Sequence, residues 1–279
     1  MVVPTVDRSK ESNEETRAIR TNHRKAVRMC LVPGLVLGVI VGVVLAGAGL
    51  PVYVAAVVFV VVAAGVLVTL WQRAPGAVLR SVGARPSAEM DRPRLHNLVD
   101  GLCATMGLPR PAIAVVDSPI PNAMSIGRDP QTATLVVTSA LDRSLTLVEL
   151  EGVLAHELVH VKRHDTVLAT VAVSVLAPLS VITGLASAAE RVHSVIGRGR
   201  EFDADQRAAG VVRYPPGIGS ALESMLEGDR TGPWPPGRGR TAALTRWLWV
   251  DPMVGSPEGQ PAEGNLDDTA VRAAAQSLR

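Results

Sequence analysis

His156, Glu157 and His160 stand in the run His-Glu-Leu-Val-His. Residues four apart share one face of a helix, so two imidazoles can meet one metal ion with the Glu157 carboxylate beside them. A catalytic zinc takes three protein ligands and a water, and two His plus one Glu is an established set. Candidates for the third ligand are His164, Glu190, His193 and Glu201. His164 lies two turns, roughly 12 Å along the axis, from His156, beyond reach of a shared ion on a straight helix. Glu201 is favoured because Asp205 follows it at i+4 and can orient a ligand histidine. Asp165 can play a similar part at the end of the metal helix; either aspartate could instead be a solvated or capping carboxylate.

The helix that must carry the two histidines is well signalled. Thr146 and Glu149 form a Thr-x-x-Glu capping box. Leu147, Leu150, Leu154, Leu158 and Val161 then recur at helical spacing on a core face, and Glu149, Val153, His156, His160 and His164 run along another. Upstream, Pro93 to Gly107 predicts a helix with an apolar stripe of Leu95, Leu98, Val99, Leu102 and Met106. Ile113–Val116 and Thr134–Thr138 predict strands, with a loop at 119–128 between them. A strand before the metal helix could pair an extended peptide along an open edge and align its scissile bond.

The chain has 279 residues, 47% hydrophobic and 3% aromatic, with a formal charge of +2. Its arginines are scattered, which gives no nucleic-acid footprint. Cys30 and Cys103 fall in segments that have no evident reason to meet, and two cysteines are too few for a cysteine-based zinc site.

Residues 1–28 are polar, carry both charges and lack apolar periodicity, and are expected to be a flexible cytoplasmic tail. From 29 to 72 two apolar runs flank an uncharged link at 46–51, each long enough to cross a bilayer as a helix, so a transmembrane helical hairpin is expected. A cleaved signal peptide is the competing reading, weakened by the charged leader and the second apolar run. Arg and Lys flank the hairpin on both sides and are missing from its loop, which predicts that both ends, and the catalytic residues, face the cytoplasm at the cell membrane.

A linker is expected at 73–90, a catalytic domain at 91–227, and a Gly/Pro/Arg-rich segment with a tail at 228–279. Within the domain, 166–189 has no charge and Pro178 at its middle. A single crossing there would part Glu201 from the histidines, so a helical hairpin broken near Pro178 is expected. Trp247, Leu248 and Trp249 form an apolar cluster that docks on the domain or touches the bilayer, and 270–278 suits a short helix.

From about Arg94 to Met225 the chain resembles the HtpX-type membrane zinc metallopeptidases, relatives of the CaaX prenyl endoproteases and Oma-type proteases. The motifs that carry the resemblance are Pro121-Asn122-Ala123, Thr138 with Leu141, the run from Glu149 to Val161, Asp165, Glu201-x-x-Ala-Asp205, and Arg213 to Leu222. The resemblance implies a mainly helical α+β fold with a zincin-like domain and a small sheet, and one zinc per chain on His156, His160 and Glu201. It also implies peptide-bond hydrolysis with Glu157 as general base, on membrane or misfolded proteins in quality control or stress response. Asn122 and Ala123 resemble the family's loop beside the substrate cleft, and Arg213 or Tyr214 could stabilise the oxyanion. Met124 stands where an aromatic residue is common, and one apolar run replaces the usual two before the third ligand.

A membrane sensor acting on one regulator is the competing function. Glu157 argues against a purely structural zinc, which would close its shell with four ligands and need no base. The hairpin loop is also too short to hold a ligand-binding domain.

Overall fold

The computed structural model describes residues 8–196, 200–227 and 234–250. Its first two helices, α1 (Arg8–Gly47) and α2 (Val52–Val82), fold back on each other through a turn with Gly49 at φ +85°. They meet closely because Gly34 and Gly38 offer no side chain. A Cβ on Gly34 would sit 2.6 Å from the Ala63 carbonyl oxygen, and one on Gly38 2.8 Å from the Phe59 ring. Outward-facing Val43, Val44, Val52 and Val61 are exposed, and both helices are long and apolar enough to cross a membrane.

Both helices outrun the expected hairpin. Residues 8–28 are not a flexible tail but the first half of α1. Ala26 and Cys30 are fully buried in one cluster with Val167, Leu168 and Val171, so tertiary packing anchors the end of this segment that leads into the apolar belt. Much of the expected linker 73–90 likewise belongs to α2, which ends at Gly83 with φ +72°, a left-handed geometry open to glycine without strain.

Next come β1 (Arg85–Pro86), α3 (Pro93–Met106), β2 (Ala112–Val116), β3 (Ala123–Ile126) and β4 (Thr134–Thr138). The sheet order is β1-β2-β4-β3, with β2 and β4 parallel and the other pairs antiparallel. β3 lies in the stretch expected as a loop; its four residues are all buried and show no alternation. The strand before the metal helix, β4, is consequently interior rather than an open edge. β3 forms that edge, and it is covered at one end: Trp249 bridges Met124, and the Val250 N–H donates to the Ala123 carbonyl at 2.9 Å.

A short α4 (Ser139–Ser144) leads to α5 (Leu147–Lys162), which opens with the expected capping box. Leu150, Leu154 and Leu158 pack with Leu95 and Val99 of α3 and Leu135 and Val137 of β4; Leu147, expected in the core, is exposed. Ile218 of α9 (Pro216–Glu227) presses on α5 at Gly152, where a Cβ would lie 2.9 Å from Ile218 Cγ1 and 3.0 Å from its backbone. Gly152→Ala is expected to destabilise the fold by about 1–3 kcal/mol through overpacking, read as a lowered unfolding midpoint in denaturant.

His164 turns the chain with φ 57°, an uncommon value for a non-glycine residue, and α6 (Asp165–Thr183) leaves in a new direction. The apolar segment forms a helical hairpin, but the break is not at Pro178. α6 continues through Pro178, held by the packing of Val173, Leu176 and Ala177 with Val78 and Trp249. The chain reverses at Gly184 (φ +82°) into α7 (Leu185–Ile196).

α6 is long and apolar enough to span a membrane, yet 67% of its apolar window is buried in the protein. The register that sets Gly34 against Ala63 and Gly38 against Phe59, continued downward, sets Asn22 about opposite Ala74. Asn22 bonds Asp165 at the start of α6, and Ser174, nine residues on, bonds the Ala74 carbonyl of α2 at 3.2 Å. α6 therefore crosses the foot of the α1–α2 hairpin instead of running alongside it.

The chain closes with α8 (Arg200–Ala209), then α9, α10 (Gly239–Leu244) and a 3-10 turn at Thr245–Leu248. Leu248 and Trp249 are buried with Leu244, Met124 and Val136, so this apolar cluster docks on the domain. The expected short helix at 270–278 lies outside the described residues.

Candidate metal centre

α8 lies along α5 with Glu201 beside His160 and Asp205 beside His156, which makes the two helices antiparallel. The i+4 spacing on each helix thus meets the i+4 spacing on the other. His156 Nε2 and His160 Nε2 are 3.1 Å apart, and each is 3.2 Å from Glu201 Oε2. The centre of such a triangle lies about 1.8 Å from each corner, so an ion just off its plane would meet all three atoms at zinc's usual distance of roughly 2.0–2.1 Å. Two imidazole nitrogens and a carboxylate oxygen also match zinc in softness.

The remaining ring nitrogens are held from behind. Asp205 Oδ1 lies 2.7 Å from His156 Nδ1 and Asp165 Oδ2 3.3 Å from His160 Nδ1, so each carboxylate can accept the Nδ1 proton and leave Nε2 bare toward the centre. Both orienting residues expected from the sequence are therefore beside the histidines. Glu157 is 2% exposed, and its Oε2 has no hydrogen-bond partner among the described residues. A buried acceptor left unmatched is costly in a folded chain, so this oxygen stands open to a partner from outside the chain.

Arg200 escaped the sequence reading. Its Nε donates to Glu201 Oε1 at 2.8 Å, which turns Oε2 toward the histidines. Neighbouring residues on a helix point about 100° apart, so adjacency to Glu201 gave no signal of this bond. Among the other candidates, His193 stacks on Trp247 at 4.4 Å between ring centroids, and Glu190 is exposed on α7. Arg213 and Tyr214 lie exposed between α8 and α9, and no described hydrogen bond or ion pair joins either to the cluster.

Asn122 and Ala123 are fully buried. Asn122 Oδ1 accepts from the Ala123 N–H at 2.9 Å, and Thr138 Oγ1 accepts from the Asn122 N–H at 2.9 Å. The pair thus shapes the start of the edge strand from inside.

Electrostatics draw the cluster together. Burial opposes charge on His156, but the Asp205 carboxylate and the Glu201 carboxylate outweigh it and hold its pKa well above the usual imidazole value. Burial is likewise outweighed at His160, mainly by Glu201, and the pKa is raised. At Glu201, burial is overcome by Arg200, His160 and the imidazole hydrogen bonds, which hold the carboxyl well below its usual range.

The raised imidazoles stabilise the metal-free fold at low pH, and this is lost as pH rises through their folded values. The depressed Glu201 contributes above the ordinary carboxylate pKa of about 4.3, and this is lost as pH falls through its folded value. A divalent ion competes with protons for the imidazole Nε2 atoms. Zinc added at pH 7 is expected to release protons, and its apparent affinity to fall on acidification. Calorimetry in buffers of different ionisation enthalpy measures the release; an apparent zinc affinity that does not fall on acidification would contradict the competition with protons.

The model of Peptidase family M48 matches residues 89–247, which takes in β2, β3 and β4 of the sheet, α5, α8, Asp165 and Asp205. The chain belongs to this family. Among curated relatives it is 32% identical over 231 residues to a protease HtpX homolog of Acidiphilium cryptum, covering 72% of this chain and 79% of the relative. A protease HtpX homolog of Salinibacter ruber is 31% identical over 203 residues, covering 65% and 72%. One of Dictyoglomus turgidum is 33% identical over 187 residues, covering 56% of this chain and 62% of that relative, so the chain spans less than two thirds of its length. No solved structure matches the chain. The HtpX-like resemblance read from the motifs is thus shown by the family match, and so are the mainly helical fold and small mixed sheet that it implied.

Proposed function

We propose that the chain is a membrane-anchored zinc endopeptidase in which His156, His160 and Glu201 hold one zinc and Glu157 is the general base. The observation that carries this reading is the triangle of three lone-pair atoms 3.1–3.2 Å apart, set beside a buried carboxylate with an unmatched oxygen. Zinc held there supplies Lewis acidity toward a water and a peptide carbonyl.

The protein's own groups do the rest. Glu157 Oε2 takes the proton of the attacking water and passes it to the leaving amine. Asp205 and Asp165 keep the imidazoles in the tautomer that bares Nε2, and Arg200 keeps Glu201 ionised and turned inward. Apolar packing around α5 excludes bulk water from the Glu157 carboxylate, which favours proton transfer within the site.

Substrate proteins reach the site at the membrane surface. Arg17, Arg20, Arg24, Lys25 and Arg28 precede the apolar belt and Arg73, Arg80 and Arg85 follow it, which supports a cytoplasmic site with α1 and α2 as the anchor. Membrane or misfolded proteins are the proposed substrates, in quality control or stress response. The test is cleavage of casein and of a destabilised membrane protein by the full chain in detergent with added zinc. Cleavage abolished by a chelator and restored by zinc is the expected result; a zinc-loaded chain that cuts neither substrate would overturn it.

A further inference from the structure

Asp165, beside His160, has a second partner that neither helix of the metal centre supplies. Asn22 Nδ2 donates to Asp165 Oδ1 at 2.8 Å while Asp165 Oδ2 faces His160 Nδ1 at 3.3 Å. Asp165 is 6% exposed; the Arg163 Nε lies 3.7 Å from its Oδ2, and the Arg200 guanidinium also acts on it through space. One oxygen is thereby assigned to the imidazole and the other to the amide, which sets the carboxylate plane and with it the plane of the ring.

Asn22 sits on α1, a helix that continues into the first apolar belt. Its place there is not incidental. Asn22, Ala26 and Cys30 recur every four residues and so share one helix face, and Ala26 and Cys30 are fully buried with Val167, Leu168 and Val171 of α6. The left-handed His164 brings Asp165 back beneath His160 at the moment α6 starts across α1. Packing of the anchor helix and orientation of the imidazole thus meet at one carboxylate.

We propose that Asn22 is a positioning residue of the metal centre, so that metal affinity depends on the cytoplasmic end of the first membrane helix being docked on α6. The proposal rests on the peptidase reading only in taking His160 as a ligand. A partner of a ligand typically contributes 10- to 100-fold in metal affinity, and Asn22 acts one bond further out, so the lower end of that range is expected. The anchor is then a structural part of the site as well as its tether.

The test is zinc affinity of the full chain in detergent, measured by competition with a chromophoric chelator, alongside thermal unfolding of the metal-free chain. Asn22→Ala should weaken zinc binding by about 10-fold. Asn22→Asp should weaken it further, because it sets a second carboxylate against Asp165. Thr21→Ala, exposed on the preceding position of α1, should leave affinity at the wild-type value.

A reversed pair supplies the rescue. With Asn22→Asp and Asp165→Asn together, the amide at 165 can donate to the carboxylate at 22 and still offer an oxygen to His160 Nδ1, so affinity should recover part of the loss seen in Asn22→Asp. Wild-type affinity in both single variants at Asn22 would overturn the proposal. So would a loss of affinity matched by an equal loss of metal-free stability with no recovery in the reversed pair, since that is what a merely structural contact gives. A wild-type chain that binds no zinc would overturn the peptidase reading itself, and is told apart because it needs no variant.

Discussion

Glu157→Gln should lower kcat for casein hydrolysis by about 10³-fold while one zinc per chain is retained. The amide has almost the volume of the carboxylate and cannot accept the proton of the attacking water. Glu157 is buried and its Oε2 unmatched, so the exchange removes no described hydrogen bond at that atom and the fold should be undisturbed. A loss of activity that tracked a loss of zinc would mean that Glu157 holds the metal rather than the proton. Unchanged activity would remove it from the mechanism altogether.

Glu201→Gln should fail differently. Zinc affinity is expected to fall by more than the roughly 10- to 100-fold that loss of an orienting partner costs, because a charged ligand becomes a neutral one. Activity should fall with it and be partly restored by excess zinc. The amide oxygen can still accept from Arg200 Nε, which lies 2.8 Å from Glu201 Oε1, so the helix α8 should hold its place. Zinc titration with activity measured on the same samples separates this outcome from that at Glu157; full zinc affinity in Glu201→Gln would exclude Glu201 as a ligand.

The site is legible in the amino-acid sequence wherever chemistry depends on spacing within one helix. The capping box of Thr146 and Glu149, the pair His156 and His160, and the pair Glu201 and Asp205 are all set by the 3.6-residue period, and the structure keeps them. What the period cannot show is how two elements meet. Arg200 is hidden because its partner is its own neighbour in sequence, and Asn22 because Asp165 lies 143 residues away.

The fold shows the same division. The apolar hairpin and α3 follow from composition and stripe, but the helical extension through residues 8–28 has no apolar pattern, and its packed end is held by contact of Ala26 and Cys30 with α6. β3 was hidden for the opposite reason: Ala123, Met124, Ser125 and Ile126 are all buried, so no alternation marks them. Pro178 suggested a break that packing on both sides of α6 overrides, and the reversal falls on Gly184, where φ +82° is readily adopted by glycine alone.

The binding of one zinc by His156, His160 and Glu201 is tested most directly by zinc K-edge absorption on the zinc-loaded full chain, wild type beside Glu201→Gln. The wild-type spectrum should show two imidazoles, oxygen in the remaining positions and no sulfur, and the variant, loaded at the same limiting zinc, should hold less of it. A sulfur ligand, a third imidazole, or equal zinc content in both chains at limiting zinc would contradict it.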